Sequence, residues 1–340
     1  MARSLRIEKA NAVYHVINRG NYRQHLFINE GAHLAFERCL FEACEKCGWV
    51  LEGYCVMTNH FHLVIRTPEG NLVYGMKWLQ STFANRYHHY RKVHGKLFQG
   101  RYKSLIVEED SYLGALLHYV HLNPVRAGMR SVDELKDYRW SSYWYLQHPA
   151  KRPEFMDVCG CLEAAGGLPD TTAGRKKYRE YLAWLAADAG AQKELLFDQM
   201  CRGWAIGSKE FKKGLLSEEA VRLKAEAEDG GGEVLAPAKE HYDGKDLREA
   251  NELKWELFLE RGLAELGKDT AAIRDELKSA KWKVMLASAL KRSTSATNVW
   301  ITGKLNMGIS QAVSQNVGKF YEASGHETEA YKKLIIRITE

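Results

Sequence analysis

The spacing of apolar residues changes from strand-like to helix-like early in the chain. Ala12 to Asn18 is rich in β-branched and aromatic residues and ends at the turn signal Arg19-Gly20-Asn21. Glu30 to Cys47 has apolar residues at helical spacing, and Gly48 is a stop signal for that helix. These patterns predict a strand followed by a long helix.

The same alternation continues as far as Pro124. The predicted order is β-α-β-β-α-β-α, which is typical of a ferredoxin-like α+β fold, an antiparallel sheet with helices packed on one face. The later elements are a hairpin of strands Trp49–Met57 and His60–Arg66, a helix Leu72–Val93, a strand Phe98–Val107, and a helix Ser111–Leu122 halted at Pro124.

Beyond Trp140 the pattern is mostly helical. Residues 1–145 are therefore predicted as one α+β domain and residues 146–225 as a helical extension. Residues 226–245 are polar and contain a triple glycine, which predicts a linker. Residues 246–340 are predicted as a helical C-terminal domain.

Two short helical patterns in this last domain flank Asn306-Met307-Gly308. A glycine-containing turn between helices is what a helix-turn-helix requires, which places one at about residues 298–319. The second helix offers Gln311 and Ser314 to base edges or phosphates. Many small helical bundles share this pattern, so a bundle without DNA binding remains the alternative.

The composition is that of a folded globular protein. The chain has 340 residues, of which 45% are hydrophobic and 27% charged, and this length favours two or three domains. No run of about eighteen apolar residues predicts a membrane span, and no apolar signal-peptide core follows the charged first residues. A cytoplasmic protein is expected.

The seven cysteines are an odd number, which favours reduced thiols. Cys44 and Cys47 have the C-x-x-C spacing of zinc ligands, but they fall within a helical pattern. No second pair lies at a zinc-finger spacing. Structural zinc is therefore the weaker reading, and free thiols are the stronger.

The formal net charge is +6, a mild bias that is compatible with a nucleic-acid partner. Positively charged residues are concentrated in residues 86–103, where Arg, Lys and His alternate with Tyr and Phe. Basic side chains neutralise phosphates while aromatic rings stack on unpaired bases, a combination that single-strand binders use. A solvated helix face followed by a loop is the alternative.

The strongest local chemical signal is His60-Phe61-His62. On a strand, residues two apart point to the same face, with Cα atoms roughly 6.5 Å apart. Both imidazoles can therefore approach one divalent ion, while Phe61 points into the core. The H-x-H spacing also occurs in strands that bind no metal.

A second element lies near the end of the predicted helix Ser111–Leu122. Tyr119 and Asn123 are four residues apart, so they share one helix face. Pro124 disfavours helical geometry at Asn123 and predicts a helix end there. A tyrosine and an asparagine on an ordinary amphipathic helix would look the same.

Together these motifs resemble the REP-associated tyrosine transposases, members of the HUH single-strand endonuclease superfamily. The resemblance covers roughly the first 150 residues and identifies residues 1–145 as an HUH endonuclease domain. Thr58 departs from the pattern, since many relatives carry proline there. The matching segments are YHVINRG (Tyr14 to Gly20), MTNHFHLVI (Met57 to Ile65), LFQGRYKS (Leu97 to Ser104) and YVHLNPVRAG (Tyr119 to Gly128).

The resemblance implies a mechanism. His60, His62 and Asn123 would hold Mg²⁺ or Mn²⁺, which polarises the scissile phosphate. Tyr119 would attack the phosphorus and displace the 3′ oxygen, leaving a 5′-phosphotyrosine and a free 3′-hydroxyl. Another 3′-hydroxyl can then rejoin the DNA. The histidines alone would suit Zn²⁺ equally well.

The resemblance also implies a substrate: single-stranded DNA hairpins formed by palindromic repeats, bound by a monomer or homodimer. Asn18, Arg19 and Asn21 would contact guide bases. Arg101 and Lys103 would hold hairpin phosphates, although a charged strand edge is the alternative.

Two other functional classes remain open at this point. One is a DNA-binding regulator that has kept the fold but does not cleave, which would need none of the predicted catalytic residues. The other is an RNA-binding protein on a ferredoxin-like sheet, which would need exposed aromatic residues on the central strands. Histidines occupy that position here.

Overall fold

The computed structural model describes residues 7–229 and 248–339. These residues form two compact units, residues 7–207 and residues 208–229 together with 248–339. The predicted linker, residues 226–245, lies outside the described residues except for 226–229, which end a helix. The four predicted domain ranges stay predictions.

A five-stranded sheet is the centre of the N-terminal unit, in the order β2-β3-β1-β4-β5. Neighbouring strands are antiparallel except for β5, which runs parallel to β4. The strands are β1 (Ala12–Arg19), β2 (Val50–Val56), β3 (His60–Thr67), β4 (Lys103–Val107) and β5 (Ala205–Ile206). The predicted strand from Phe98 begins only at Lys103, and Phe98 itself makes an isolated bridge to Gly20.

Helices α1 (Glu30–Cys47) and α2 (Leu72–Arg91) cover one face of this sheet. The α1 helix begins where the Asn29 side chain accepts a hydrogen bond from the Ala32 amide, and it ends at a left-handed Gly48. Phe36 of α1 packs on Phe61, whose side chain is fully buried as predicted. The predicted α+β fold with an antiparallel core is confirmed.

Helix α3 (Gly114–Arg126) packs against the opposite face, which the prediction did not anticipate. A Cβ on Gly53 of β2 would lie only 2.7 Å from Leu117 Cδ2, so glycine permits this close approach. The predicted stop at Pro124 is wrong. Proline removes one backbone hydrogen bond, yet the helix continues to Arg126, where the Ala127 amide donates to the Asn123 carbonyl at 3.0 Å.

Between α3 and β5 the N-terminal unit is mostly helical, as predicted for this region. Its α6 helix contributes Tyr178, whose hydroxyl hydrogen-bonds to His118 and His121 of α3. The helices are α4 (Ser142–Gln147), α5 (Cys159–Ala164), α6 (Thr172–Ala187) and α7 (Ala189–Glu194).

The C-terminal unit is helical throughout its described residues, and the predicted helical C-terminal region is confirmed. Asn306 and Gly308, both with positive φ, form the turn between α12 and α13. None of the helices in the described part of the chain is long and apolar enough to cross a membrane. The helices are α8 (Lys209–Asp229), α9 (Arg248–Glu265), α10 (Thr270–Asp275), α11 (Lys281–Ser293), α12 (Asn298–Leu305), α13 (Ser310–Glu322) and α14 (Glu329–Thr339).

Candidate active site

The sheet face beneath α3 carries histidines from two neighbouring strands. Antiparallel pairing sets Ile17 opposite His62 and Arg19 opposite His60. Because side chains alternate along a strand, His15 lies on the same face, diagonal to His62. The His15 and His62 rings stack with their centroids 5.2 Å apart, and Nε2 of His15 lies 2.9 Å from Nδ1 of His62.

His60 and His62, the predicted metal ligands, are neighbours on this face. Their ring centroids are 5.1 Å apart and the ring planes meet at 76°. His62 is buried, whereas His60 is half-buried. Nδ1 of His60 lies 2.7 Å from Oδ1 of Asn59. Two imidazoles therefore approach each other at one edge of a largely enclosed site.

Tyr119, the predicted nucleophile, reaches the same place from α3. Its ring centroid lies 5.8 Å from that of His62 and 6.2 Å from that of His15. The side chain is only 7% exposed, and its hydroxyl lies 3.0 Å from Sγ of Cys201. The fold thus brings together a strand histidine and a helix phenol that are far apart in the sequence.

Asn123 lies four residues after Tyr119, on the same face of α3. It is buried, and its Nδ2 atom has no hydrogen-bond partner among the described residues. Leaving a buried amide group unpaired costs about 1–3 kcal/mol. The unpaired Nδ2 group is a hydrogen-bond donor, so only an acceptor atom of a ligand can satisfy it.

Three further residues line the site that the motif analysis did not single out: His15, Cys201 and Arg126. The Arg126 guanidinium lies over the Tyr119 ring, 4.7 Å from its centroid. His15 and Arg126 both lie within motifs that carry the family resemblance, so those motifs held the signal for them. Nothing in the sequence around Cys201 links that residue to the histidines.

Ligand atoms of His15, His62 and Cys201 all lie within 4.8 Å of one another. A group of two imidazoles and one thiol can hold a metal ion. This candidate group shares only His62 with the predicted ligand set.

Burial lowers the pKa of all three histidines on this face, because desolvation disfavours the charged imidazolium. The pKa values of His15 and His60 fall to about 4. That of His62 falls well below its ordinary value, and the nearby His15 and His60 lower it further. At neutral pH each ring is uncharged and keeps one nitrogen lone pair.

Burial acts in the opposite direction on Tyr119 and raises the pKa of its hydroxyl, since the charged form is now the phenolate. The Cys201 thiol beside it raises this pKa further. The Arg126 guanidinium opposes both effects and lowers it.

The predicted DNA-binding residues of the N-terminal unit differ in their exposure. Asn18 is buried, and its Oδ1 accepts a hydrogen bond from the Arg19 amide. Arg19 and Asn21 are half-buried, with Arg19 beside His60 in the sheet register. Arg101 is exposed in the loop before β4, and Lys103 is half-buried at the start of that strand. Of the three predicted basic residues, Arg19 is the one that the strand pairing sets directly opposite His60.

In the C-terminal unit, Gln311 and Ser314 are exposed on α13. They line an open groove of about 420 Å³ between α12 and α13. The Ser314 hydroxyl accepts a hydrogen bond from Nδ2 of Asn298 at 2.6 Å. Both residues lie on an accessible polar face, as the helix-turn-helix prediction requires.

Comparison with known proteins identifies relatives of the N-terminal unit. Residues 8–123 match the family described as "Transposase IS200 like". A protein of Haemophilus influenzae, whose name assigns it provisionally to the REP-associated tyrosine transposases, is 25% identical over 128 residues. That match covers 34% of this chain and 69% of the relative.

A solved structure of a REP-associated tyrosine transposase bound to a REP hairpin also matches this chain, with 12% identity and a TM-score of 0.39. The match covers 45% of this chain and 89% of that chain. The resemblance to REP-associated tyrosine transposases that the motifs predicted is confirmed.

Proposed function

We propose that the N-terminal unit nicks and rejoins single-stranded DNA through Tyr119, acting at hairpin-forming palindromic repeats. The observation that carries this proposal is the 5.8 Å separation of the His62 and Tyr119 ring centroids. A phenol and a pair of neutral imidazoles at one buried face are the parts that a metal-assisted tyrosine nuclease needs. Neither part is required by a protein that only binds DNA.

His60, His62 and Asn123 are the residues that would hold Mg²⁺ or Mn²⁺. The neutral imidazoles support this fit, because each keeps a lone pair that a metal can take. Asn123, buried on the same face of α3 as Tyr119, would contribute its Oδ1 atom. When bound, the ion would polarise the scissile phosphate and stabilise the charge that develops on its oxygens.

The chemistry of the chain itself is a two-step exchange at phosphorus. The Tyr119 oxygen bonds to phosphorus as the bond to the 3′ oxygen breaks, and that oxygen takes up a proton as the phenol loses one. The phosphodiester is kept as a link between Tyr119 and the 5′ end. A second 3′-hydroxyl then attacks the same phosphorus and releases Tyr119, which regains its proton.

Arg126 and Arg19 give this site its positive charge. The Arg126 guanidinium over the Tyr119 ring lowers the pKa of the phenol and so favours the phenolate, and it would also attract the scissile phosphate. Arg19 beside His60 would pair with an adjacent phosphate. Together with these two arginines, Arg101 and Lys103 would form a phosphate track, a row of cations that binds the phosphates of a hairpin stem. Gln311 and Ser314 would contact DNA from the C-terminal unit.

The test uses an end-labelled hairpin oligonucleotide with a single-stranded flank, incubated with the full chain and Mn²⁺ and resolved on a denaturing gel. We expect wild type to form a covalent protein–DNA adduct. Tyr119→Phe, His60→Ala and His62→Ala should form none, although Tyr119→Phe should still bind the hairpin. Tyr74→Phe is the matched control, since Tyr74 is 56% exposed on α2, lies outside residues 86–103, and should react as wild type does.

An adduct in Tyr119→Phe would show that another residue is the nucleophile. Hairpin binding by wild type without any adduct, in the presence of Mg²⁺, Mn²⁺ or Zn²⁺, would favour the regulator that binds without cutting.

A further inference from the structure

We propose that His15 and Asn59 are positioning residues that fix the tautomers of His62 and His60, so that Nε2 of each ring offers its lone pair to the metal. The proposal rests on the proposed function in one respect, the identity of the metal ligands. Its evidence is independent: two hydrogen-bonded chains, each of which ends at a backbone carbonyl.

The first chain of hydrogen bonds runs from Met200 through His15 to His62. The Met200 carbonyl can only accept, so Nδ1 of His15, 2.8 Å away, must carry the hydrogen. His15 has no exposed surface, which favours the neutral ring with a single N–H. Its Nε2 therefore accepts from Nδ1 of His62 at 2.9 Å. A neutral His62 with its hydrogen on Nδ1 has its lone pair on Nε2.

The second chain of hydrogen bonds runs from Arg23 through Asn59 to His60. Nδ2 of Asn59 donates to the Arg23 carbonyl at 3.3 Å, which orients the amide. Oδ1 of Asn59 then faces Nδ1 of His60 at 2.7 Å and can only accept. The hydrogen of His60 must therefore lie on Nδ1, and its lone pair on Nε2.

The two chains arrive at the same result from different parts of the fold. Met200 lies in the segment after α7, and Arg23 in the turn after β1, yet both leave Nε2 of a predicted ligand bare. Metal-binding histidines generally donate their other N–H to such a partner, and loss of that partner typically weakens metal binding about 10–100-fold.

A direct ligand role for His15 is disfavoured by its own hydrogen bonds. Nδ1 of His15 donates to the Met200 carbonyl, and its Nε2 lone pair accepts from Nδ1 of His62. A neutral His15 in this arrangement has no lone pair left for a metal ion.

Mn²⁺ titration of the full chain, followed by the electron paramagnetic resonance of free Mn²⁺, tests the proposal without DNA. We expect His15→Phe and Asn59→Ala each to bind Mn²⁺ about 10–100-fold more weakly than wild type. His15→Gln keeps a donor and an acceptor, and Asn59→Asp keeps the acceptor, so both should restore most of the affinity. His33→Phe is the matched control, because His33 is also a buried histidine whose Nδ1 hydrogen-bonds to a carbonyl, that of Asn29.

Nitrogen-15 NMR of histidine-labelled, metal-free protein reads the tautomers directly. In wild type, His60 and His62 should each have a protonated Nδ1 and a bare Nε2. In His15→Phe, His62 should lose this preference while His60 keeps it, and Asn59→Ala should do the reverse. A variant that failed to fold would lose the signals of both rings, which separates misfolding from a tautomer change.

Failure of this proposal is distinguishable from failure of the proposed function. Wild type with Nε2 of His62 protonated, or variants with unchanged tautomers and Mn²⁺ affinity, would overturn the positioning roles even if the protein cuts DNA. Equal losses of Mn²⁺ affinity in His15→Phe and Cys201→Ala would instead make both residues ligands and overturn the role of His15. If the tautomers are as expected but the protein forms no adduct, the positioning roles are supported and the proposed nuclease activity is contradicted.

Discussion

The hydroxyl of Tyr119 and the thiol of Cys201 lie 3.0 Å apart and share a hydrogen bond. The proposed nucleophile is therefore held by a side chain that has no part in the proposed reaction. Burial and this thiol together raise the pKa of the phenol. Both effects favour the protonated phenol over the phenolate.

Replacing Cys201 with alanine should therefore make Tyr119 more reactive. The phenolate is the attacking form, and each unit by which the phenol pKa is raised cuts its population about tenfold at a given pH. We expect Cys201→Ala to form the covalent adduct severalfold faster at pH 7, and its rate-versus-pH curve to move to lower pH.

Cys159→Ala provides the control, since Cys159 is an exposed thiol on α5. It should leave both the adduct rate and its pH dependence unchanged. A slower adduct rate in Cys201→Ala would mean that the thiol assists the reaction.

Arg126 should have the opposite effect to Cys201. A guanidinium 4.7 Å from the Tyr119 ring centroid favours negative charge on the phenol. An exposed cation–π contact is worth about 0.5–1 kcal/mol, so Arg126→Ala should slow adduct formation at least about two- to fivefold. Single-turnover rates with saturating hairpin measure this. Arg130→Ala is the matched control, because Arg130 lies over the Tyr138 ring, and an equal loss there would remove Arg126 from the mechanism.

Local sequence patterns were sufficient for most elements of the N-terminal unit. The predicted bounds of α1 match the structure because the Gly48 stop signal is local. The two-residue strand β5 could not be predicted, since pairing with β4 alone creates it. Pro124 misled the prediction because the proline costs this helix only one backbone hydrogen bond, and the Ala127 amide still closes the last turn on the Asn123 carbonyl.

The candidate site was predictable only where its geometry is local. His60 and His62 are two residues apart on one strand, so their convergence follows from the strand period. The contact of His15 with His62 depends on the register between β1 and β3. Cys201 joins the site from beyond α7, and no local rule connects it to Tyr119.

Metal binding should be insensitive to mild acid. Protons and metal ions compete for the same nitrogen lone pair, so a lowered histidine pKa weakens the proton as a competitor. With ordinary pKa values near 6.5, two histidine ligands would lose Mn²⁺ affinity about 100-fold in total between pH 7.5 and 5.5. Because burial lowers the pKa of His60 to about 4 and that of His62 well below its ordinary value, we expect a change of less than about twofold.

Mn²⁺ titrations at the two pH values distinguish these outcomes, with affinity falling steeply only as the pH approaches 4. A loss near 100-fold at pH 5.5 would mean that the histidines are far more hydrated than the structure indicates.

A buried network beneath the site predicts a pH-dependent stability. Nδ1 of His121 lies 2.9 Å from the Tyr178 hydroxyl, and its Nε2 lies 2.9 Å from the Ser142 hydroxyl. His121→Phe removes one hydrogen bond from each hydroxyl, while Tyr178 keeps its bond to His118 and Ser142 keeps its bonds to the Tyr54 backbone. Two lost bonds, each worth about 0.5–1.5 kcal/mol, should lower the free energy of unfolding at pH 7 by about 1–3 kcal/mol.

This loss should shrink in acid. Burial lowers the pKa of His121 to about 3. Between pH 6.5 and 3, His121 therefore binds a proton in the unfolded wild type but not in the folded protein. Wild type therefore loses stability as the pH falls through this window, and the phenylalanine variant loses less. Denaturant unfolding at pH 7 and pH 5 measures the difference. The exposed His25, replaced by glutamine, is the control that should behave as wild type does.

DNA contacts by Arg101 should be visible in the salt dependence of hairpin binding. Arg101 is exposed in the loop before β4. Each phosphate contact that is lost lowers the slope of log K against log salt by about 0.7–0.9. We expect Arg101→Ala to reduce the slope by that amount, measured by fluorescence anisotropy with Tyr119→Phe so that no DNA is cut.

Two further variants show whether a change in the salt slope depends on losing an unpaired charge at the DNA. Arg248 on α9 lies outside residues 86–103 and is already paired with Glu252 at 3.0 Å, so Arg248→Ala removes a neutralised cation and should leave the slope unchanged. Gln311→Ala removes a neutral side chain, so it should weaken hairpin binding without altering the slope if it contacts base edges. An unchanged slope in Arg101→Ala would mean that its charge faces solvent at the strand edge, and the phosphate track would then have to follow Arg19 and Arg126 instead.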